Sequence, residues 1–295
     1  MSESASLPFV FGGLEPERCA FSAASVLIWP VPFEKTVTYG RGTREGPAAI
    51  VEASRNMELY DDEVGGEPAD IGIHTLPAMD ADHEPHEMMP RLQQETARLL
   101  DTGKFLCTLG GEHSITPPLV RAFKEKYPDL SVLQVDAHAD LRDRYDGTVY
   151  SHASAMRRVL ETCPAVQVGI RSLSSEEARI APTLPTRIFY AKDIIHDDDW
   201  AGRAVDSLTP NVYLTLDVDG LDPSLLPNTG TPEPGGLMWY DVLHLLRTLA
   251  ARRRVVGMDV VELCGPTNSV SSFVTAKLIY KALAYIFQQQ IPKAT

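Results

Sequence analysis

The stretch that decides the fold is Leu130-Ser131-Val132-Leu133-Gln134-Val135, followed without a break by Asp136-Ala137-His138-Ala139-Asp140. A run that is apolar almost throughout fits a strand covered on both faces, the habit of parallel sheets. The ligand-type residues that follow it alternate. While the chain stays extended, Asp136, His138 and Asp140 share one side. At ~3.3 Å per residue the outer two lie roughly 13 Å apart on a straight strand. The ions of a two-metal site sit only ~3.5–4 Å apart. For all three residues to serve one site, the chain must curl where the strand ends. Polar side chains in such a place are costly unless satisfied, which weighs against an ordinary exposed loop.

Working outward, the same pattern recurs. Apolar runs lie at 25–29, 70–74, 105–109, 166–170, 187–191, 212–218 and 254–261. Helical patterns separate them, from Gly46-Pro47 through Met57, from His86 to Leu100, from Ser114 to near Tyr127, and over 240–251 and 272–288. Ser114 reads as an N-cap, with Pro117 and Pro118 in the first turn behind it. Strands alternating with helices predict an α/β fold, a parallel sheet between helix layers. In such sheets ligands gather beyond the carboxyl ends of the strands.

Two further motifs meet that test. Asp217-Val218-Asp219-Gly220-Leu221-Asp222-Pro223 closes the run at 212–218. Turn chemistry accounts for Asp219-Gly220 and Asp222-Pro223, but not for Asp217, which interrupts an apolar strand. Gly110-Gly111-Glu112-His113-Ser114 follows the run at 105–109, and its paired glycines permit a sharp turn or a close backbone approach. Three strand ends thus present four aspartates and two histidines. That donor set suits hard divalent ions such as Mn²⁺ or Mg²⁺ better than thiolate-bound zinc.

Composition sets the outer bounds. The 295 residues carry 27 Lys+Arg against 40 Asp+Glu, a formal net charge of −13. The length suits one large α/β domain or two ordinary ones. With 44% hydrophobic and 23% charged residues, bulk disorder and coiled coil are excluded. No apolar stretch reaches ~20 residues, so no membrane partner is expected. The acidic balance speaks against nucleic acid. Cys19, Cys107, Cys163 and Cys264 form no C-x-x-C pair, which argues against a disulfide scaffold or a thiolate zinc site. The apolar stretch 20–33 follows Glu15 and Glu17 and contains Pro30 and Pro32. It reads as a strand entering a loop rather than a signal peptide, and a cytoplasmic protein is the default. His83 and His86 sit in an acidic, polar loop and read as solvated.

In this order, GGEHS at 110–114, DAHAD at 136–140 and LDVDGLDPS at 216–224, followed by TPEPGG at 231–236, resemble the ureohydrolase family of arginase and agmatinase. The likeness runs from Val31 to Glu262 and is greatest to agmatinase. It implies a single ureohydrolase domain over 1–295, with 1–20 as an N-terminal extension. The implied fold is three-layer α/β/α with a mostly parallel eight-stranded sheet. It implies two Mn²⁺ per chain, one held by His113, Asp136, Asp140 and Asp217, the other by Asp136, His138, Asp217 and Asp219. A bridging hydroxide would attack the guanidinium carbon, giving urea and an amine, with Asp140 orienting it or relaying its proton. His152 is implied as a proton shuttle and substrate contact at the mouth and Glu262 as the catalytic guanidinium binder; Thr231 and Glu233 support the pocket, Thr231 as a substrate contact. Without the resemblance, His152 reads as a helix-start residue and Glu262 as a strand-end acid, while Asp259 reads as structural.

The implied substrate is a small cationic guanidino compound, first agmatine, converted to putrescine in polyamine biosynthesis. The alternatives are aminopropylagmatine, guanidinobutyrate or arginine, and, from another class, a degenerate metal-binding scaffold. An arginine-type substrate needs donors for its carboxylate, which Arg142, Arg144 or Arg171 could supply. Ala153-Ser154 replaces the Gly and Thr found after this histidine in many agmatinases and is expected to change the pocket floor. Relatives form trimers or hexamers, so a homotrimer or homohexamer is expected. A binuclear phosphoesterase also starts from D-x-H, but its G-D-x-x-D and G-N-H-[DE] motifs do not occur.

Overall fold

A computed structural model describes residues 9–293. Its eight strands are β1 (Val26–Val31), β2 (Ile73–Thr75), β3 (Phe105–Gly110), β4 (Leu130–Val135), β5 (Ala165–Ile170), β6 (Thr186–Tyr190), β7 (Asn211–Asp217) and β8 (Arg254–Val261). They form one sheet in the order β2-β1-β3-β8-β7-β4-β5-β6. Every pairing is parallel, so the sheet is wholly rather than mostly parallel.

The apolar runs explain this. β1, β3, β4 and β5 are buried at every position. Along β1, Val26 and Ile28 enter one core while Leu27, Trp29 and Val31 enter the other, as a period of two requires. The first core is closed by the helices Gly46–Ser54, Trp200–Asp206, Trp239–Arg252 and Val270–Ile286. The second is closed by Pro85–Leu100, Thr116–Lys126 and Ala155–Val159. The result is three layers, helix–sheet–helix.

Two local expectations are corrected. The run at 70–74 does not start as a strand. Pro68–Ile71 form a 3₁₀ turn, closed by the Gly72 N–H on the Ala69 carbonyl, and β2 begins only at Ile73. Ser114 is not an N-cap. It lies inside the 3₁₀ turn His113–Ile115, and the helix begins at Thr116. Its hydroxyl instead donates to Glu112 Oε1 at 2.5 Å, because a buried carboxylate two residues away is the stronger acceptor. Of the stretch read as an N-terminal extension, residues 1–8 lie outside the described residues, while Phe11 and Leu14 are buried in the first core. All four cysteines are free, and Cys107, Cys163 and Cys264 are buried. Among the described residues no helix is long and apolar enough to cross a membrane.

The second core admits no extra volume where β8 passes under the helix Thr116–Lys126. A Cβ at Gly257 would sit 2.2 Å from Cζ of Phe123. Phe123 is fully buried between Tyr127 and Tyr213 and has no room to retreat. Gly257→Ala should therefore cost about 1–3 kcal/mol. The measurement is urea unfolding, with a lower midpoint expected at an unchanged slope; an unmoved midpoint would mean the ring can shift.

Candidate metal centre and its pocket

The four central strands, β3, β8, β7 and β4, end at one place. β3 leads into His113, β4 into Asp136, His138 and Asp140, β7 into Asp217 and Asp219, and β8 into Glu262. A cavity of about 280 Å³ opens there, lined by all of these except Asp136, together with His152 and Thr231. Asp136 lies fully buried. The close approach expected of the paired glycines is present, since a Cβ at Gly111 would meet the Phe33 carbonyl oxygen at 2.1 Å.

The chain curls after β4 as required. Asp136 Oδ2 and Asp140 Oδ2 lie 3.1 and 3.0 Å from the same atom, His113 Nδ1. Asp140 takes a left-handed backbone conformation (φ 53°), as does Glu262 (φ 65°), a strained choice for residues with a Cβ. Asp217 Oδ2 lies 3.4 Å from His113 Nδ1. His138 Nδ1 lies 2.9 Å from Asp219 Oδ2 and 3.7 Å from Asp136 Oδ1. Two compact groups could each hold an ion, His113-Asp136-Asp140 and Asp136-His138-Asp219, with Asp136 in both. Asp217 belongs to neither group but borders the first.

Backbone N–H groups aim the carboxylates. Asp217 Oδ1 accepts from the Asp219 N–H and Asp219 Oδ1 from the Ala137 N–H, each at 3.0 Å, leaving both Oδ2 atoms for the centre. Asp136 accepts from the His138 N–H and from Gln134 Nε2, each at 2.6 Å. His113 is aimed through its other nitrogen. Its Nε2 lies 3.0 Å from Thr215 Oγ1, which donates to Asp259 Oδ1 at 2.6 Å. Thr215 has one proton and gives it to Asp259, so Nε2–H must donate, and in the neutral imidazole the lone pair is on Nδ1. That Nδ1 is buried and has no hydrogen-bond partner. A lone pair facing three carboxylate oxygens is satisfied by a cation, and the residues present fit a divalent metal pair.

The electrostatics point the same way. Burial, followed by repulsion from neighbouring carboxylates, raises Asp217 and Asp219 and lifts Asp140 to about 6. Burial, with Glu112 beside it, pushes Glu262 well up. Burial acts upward on Asp136 too, but His113 and His138 on either side hold it below the usual range. Burial disfavours charge on the two histidines, yet the aspartates around them outweigh it, holding His113 well up and His138 at about 12, so His113 Nδ1 takes either a proton or a metal ion. The cluster draws in positive charge.

The other anticipated residues divide. Glu262 Oε1 accepts the His113 N–H at 2.7 Å, which leaves Oε2 on the side of Gly230. His152 opens a 3₁₀ turn, His152–Ser154, on the cavity wall, and burial holds its imidazole below the ordinary value. Ala153 reaches the cavity, but Ser154 is buried away from it, so only the first of that pair alters the wall. Arg171 is not available to a substrate carboxylate. Its guanidinium donates to the carbonyls of Gly169, Asp219, Gly220, Leu221, Glu233 and Pro234, stapling the loops after β5 and β7. Arg144 is exposed and outside the cavity lining, whereas Arg142 is on its wall. His83 pairs with Asp80 and Arg91 and joins no metal-type group among the described residues.

Sequence reasoning passed over Gln134, Gln167 and Thr215 and set Asp259 aside as structural. With Thr108 they form one row of partners across the sheet: Thr108 beside Asp259, Asp259 beside Thr215, Thr215 beside Gln134, Gln134 beside Gln167. Each is a polar residue in an otherwise apolar strand, and that repeated interruption was the available signal.

Comparison with known proteins agrees with this geometry. The chain matches the arginase family over residues 24–285. It is 39% identical over 284 residues to the N(1)-aminopropylagmatine ureohydrolase of Synechocystis sp., covering 93% of each chain. It is 36% identical over 266 residues to the agmatinase of Pyrococcus horikoshii, covering 87% of this chain and 90% of that one. The crystal structure of the agmatine ureohydrolase of Thermoplasma volcanium superposes with a TM-score of 0.85 at 28% identity, covering 98% of this chain and 97% of that one. With the family matched over most of its length, and its sheet ending in the metal-type cluster described above, the chain belongs to the arginase family.

Proposed function

We propose that this protein is a binuclear metallohydrolase that cleaves a guanidino compound to urea and an amine. The observation that carries the reading is the orphaned, buried Nδ1 of His113, facing Asp136, Asp140 and Asp217 beside a cavity of small-molecule size. His113, Asp136, Asp140 and Asp217 would hold one Mn²⁺, and Asp136, His138, Asp217 and Asp219 the other. Such ions, when bound, supply Lewis acidity and a nucleophilic water near neutral pH.

The chain's own groups do the rest. Glu262 receives the planar guanidinium through charge-assisted hydrogen bonds. Asp140, on the cavity wall and 3.0 Å from His113 Nδ1, holds or passes on a proton. His152, on the wall, carries a proton to or from the amine, and Thr231 contacts the substrate. Agmatine, giving putrescine for polyamine synthesis, is the first substrate. Aminopropylagmatine is the second, favoured by the 39% identity to a ureohydrolase of that compound. Arginine loses ground because Arg171 is already engaged. The enzyme is cytoplasmic and assembles as a homotrimer or homohexamer, which light scattering reads directly.

The first test is urea release with Mn²⁺ from agmatine, aminopropylagmatine, guanidinobutyrate and arginine. Turnover of one or both of the first two is expected, abolished by a chelator and restored by Mn²⁺. Turnover of arginine or guanidinobutyrate alone would sink the substrate assignment.

Asp217→Ala and His138→Ala should each reduce urea release to background and leave fewer than two ions per chain by elemental analysis. Near-normal activity in either refutes the ligand set. Thr215→Val keeps the shape of the side chain but removes the acceptor for His113 Nε2. Loss of such an orienting contact weakens metal binding by roughly 10–100-fold. A Mn²⁺ titration reads it, and unchanged affinity would show that Thr215 does not orient His113.

A further inference from the structure

The loop after β1 carries a residue with no role so far. Thr36 Oγ1 donates to Glu112 Oε1 at 2.8 Å. It also accepts the His152 backbone N–H at 3.1 Å and lies 3.2 Å from His152 Nδ1. Glu112 is fully buried. Its Oε2 accepts the Lys35 and Thr36 N–H groups, each at 2.7 Å, and its Oε1 also accepts the Ser114 hydroxyl. Four donors therefore meet the four lone-pair sites of one carboxylate.

That arithmetic fixes the direction of each bond. The backbone N–H groups can only donate. Thr36 has a single proton, and the carboxylate takes it. Toward His152, Thr36 Oγ1 can then only accept. Its two lone pairs are matched by the His152 backbone N–H and by a proton on Nδ1. The neutral imidazole then carries its proton on Nδ1 and its lone pair on Nε2. Ser151 Oγ stands farther from Nδ1, at 3.5 Å, and the Tyr145 ring meets the imidazole edge-on at 6.1 Å.

We propose that Thr36, anchored by Glu112, is the positioning residue that sets the tautomer and ring orientation of His152, leaving Nε2 to exchange protons in the cavity. This rests on the proton-carrying role given to His152 above. A proton shuttle that presents the wrong nitrogen loses its function with little change in substrate binding, because neither Thr36 nor Glu112 lines the cavity and the shape of its wall is kept.

The test compares Thr36→Val, which keeps the volume and loses the hydroxyl, with Thr36→Ser, which keeps the hydroxyl. Agmatine and aminopropylagmatine are the substrates. Thr36→Val should lower kcat about tenfold or more, within the ~10²–10⁴ available from acid–base catalysis, with KM moved less than twofold. Thr36→Ser should stay within threefold of the parent. In a His152→Ala background, Thr36→Val should cost less than twofold further, since nothing remains to position. Equal losses in Val and Ser, or the full Val loss repeated without His152, would overturn the proposal; Thr36→Ala replaces Val if Val fails to fold. The ¹⁵N spectrum of histidine-labelled, Mg²⁺-loaded protein reads the tautomer without turnover. His152 should be protonated on Nδ1 in the parent and shift toward Nε2 in Thr36→Val. A parent protonated on Nε2 overturns the proposal even where every substrate is silent, whereas silent substrates alone overturn only the functional reading.

Discussion

Four aspartates, all but excluded from water, stand where β4 and β7 end side by side, and the rest of the site answers to their mutual repulsion. Two like charges ~4 Å apart interact by about 4 kcal/mol at an effective dielectric of 20, so such a cluster is intolerable without positive charge. The fold supplies some of it as oriented N–H groups on Asp136, Asp217 and Asp219. Histidines 113 and 138 supply more if they hold protons, and a pair of divalent ions neutralises four carboxylates outright. The strand order follows from this need. Only with β8 and β7 inserted between β3 and β4 do the ends carrying His113, Glu262, Asp217 and Asp136 become neighbours.

Behind the candidate ligands runs a second polar set that makes their aim definite. Asp259 collects hydroxyl protons from Thr116, Tyr213 and Thr215, and so leaves Thr215 only an acceptor for His113. Gln167 donates to Gln134, and Gln134 donates to Asp136. On the opposite wall Glu112 does for His152, through Thr36, what Asp259 does for His113 through Thr215. In both cases a buried acid takes the threonine proton, and the histidine has no choice of tautomer. Buried polar groups are costly unless fully satisfied, and here their satisfaction is what orients the centre.

The strands and the motifs that end them were legible because both are local. Val132, Leu133 and Val135 announce a strand within six residues, and Asp136, His138 and Asp140 follow it without a gap. The curl at Asp140 was demanded by distance alone. Partners separated by long stretches of chain were not legible. Thr36 and His152 are 116 residues apart, and Arg171 reaches carbonyls 48 to 63 residues away. Arg171 in particular read as a free donor, since five of the six carbonyl oxygens converging on it come from residues 219–234. Ser114 failed for the reverse reason. Its local context is that of a cap, and the acceptor that captured it, Glu112, is buried by the tertiary fold.

The hydrogen bonds of the cavity wall also bear on how a substrate is chosen. The net charge of −13 invites the idea of an acidic funnel for amine tails. The cavity does not bear it out. Apart from the metal-type aspartates and Glu262, the one further acid on its wall among the described residues is Glu177. Glu177 is already committed: Oε1 accepts the Leu141 N–H, Oε2 accepts the N–H and hydroxyl of Ser174, and Arg142 stands 3.7 Å off. Arg142 itself lies over the Tyr145 ring. The wall above the centre is therefore close to neutral, and long-range charge raises the encounter rate for any cation without distinguishing one tail from another. Under the function proposed above, Glu262 and the cluster would select the guanidinium end. On that reading the tail would be selected by the length and shape of the cavity, whose lining includes Tyr39, Tyr145 and Leu173, more than by charge on its wall.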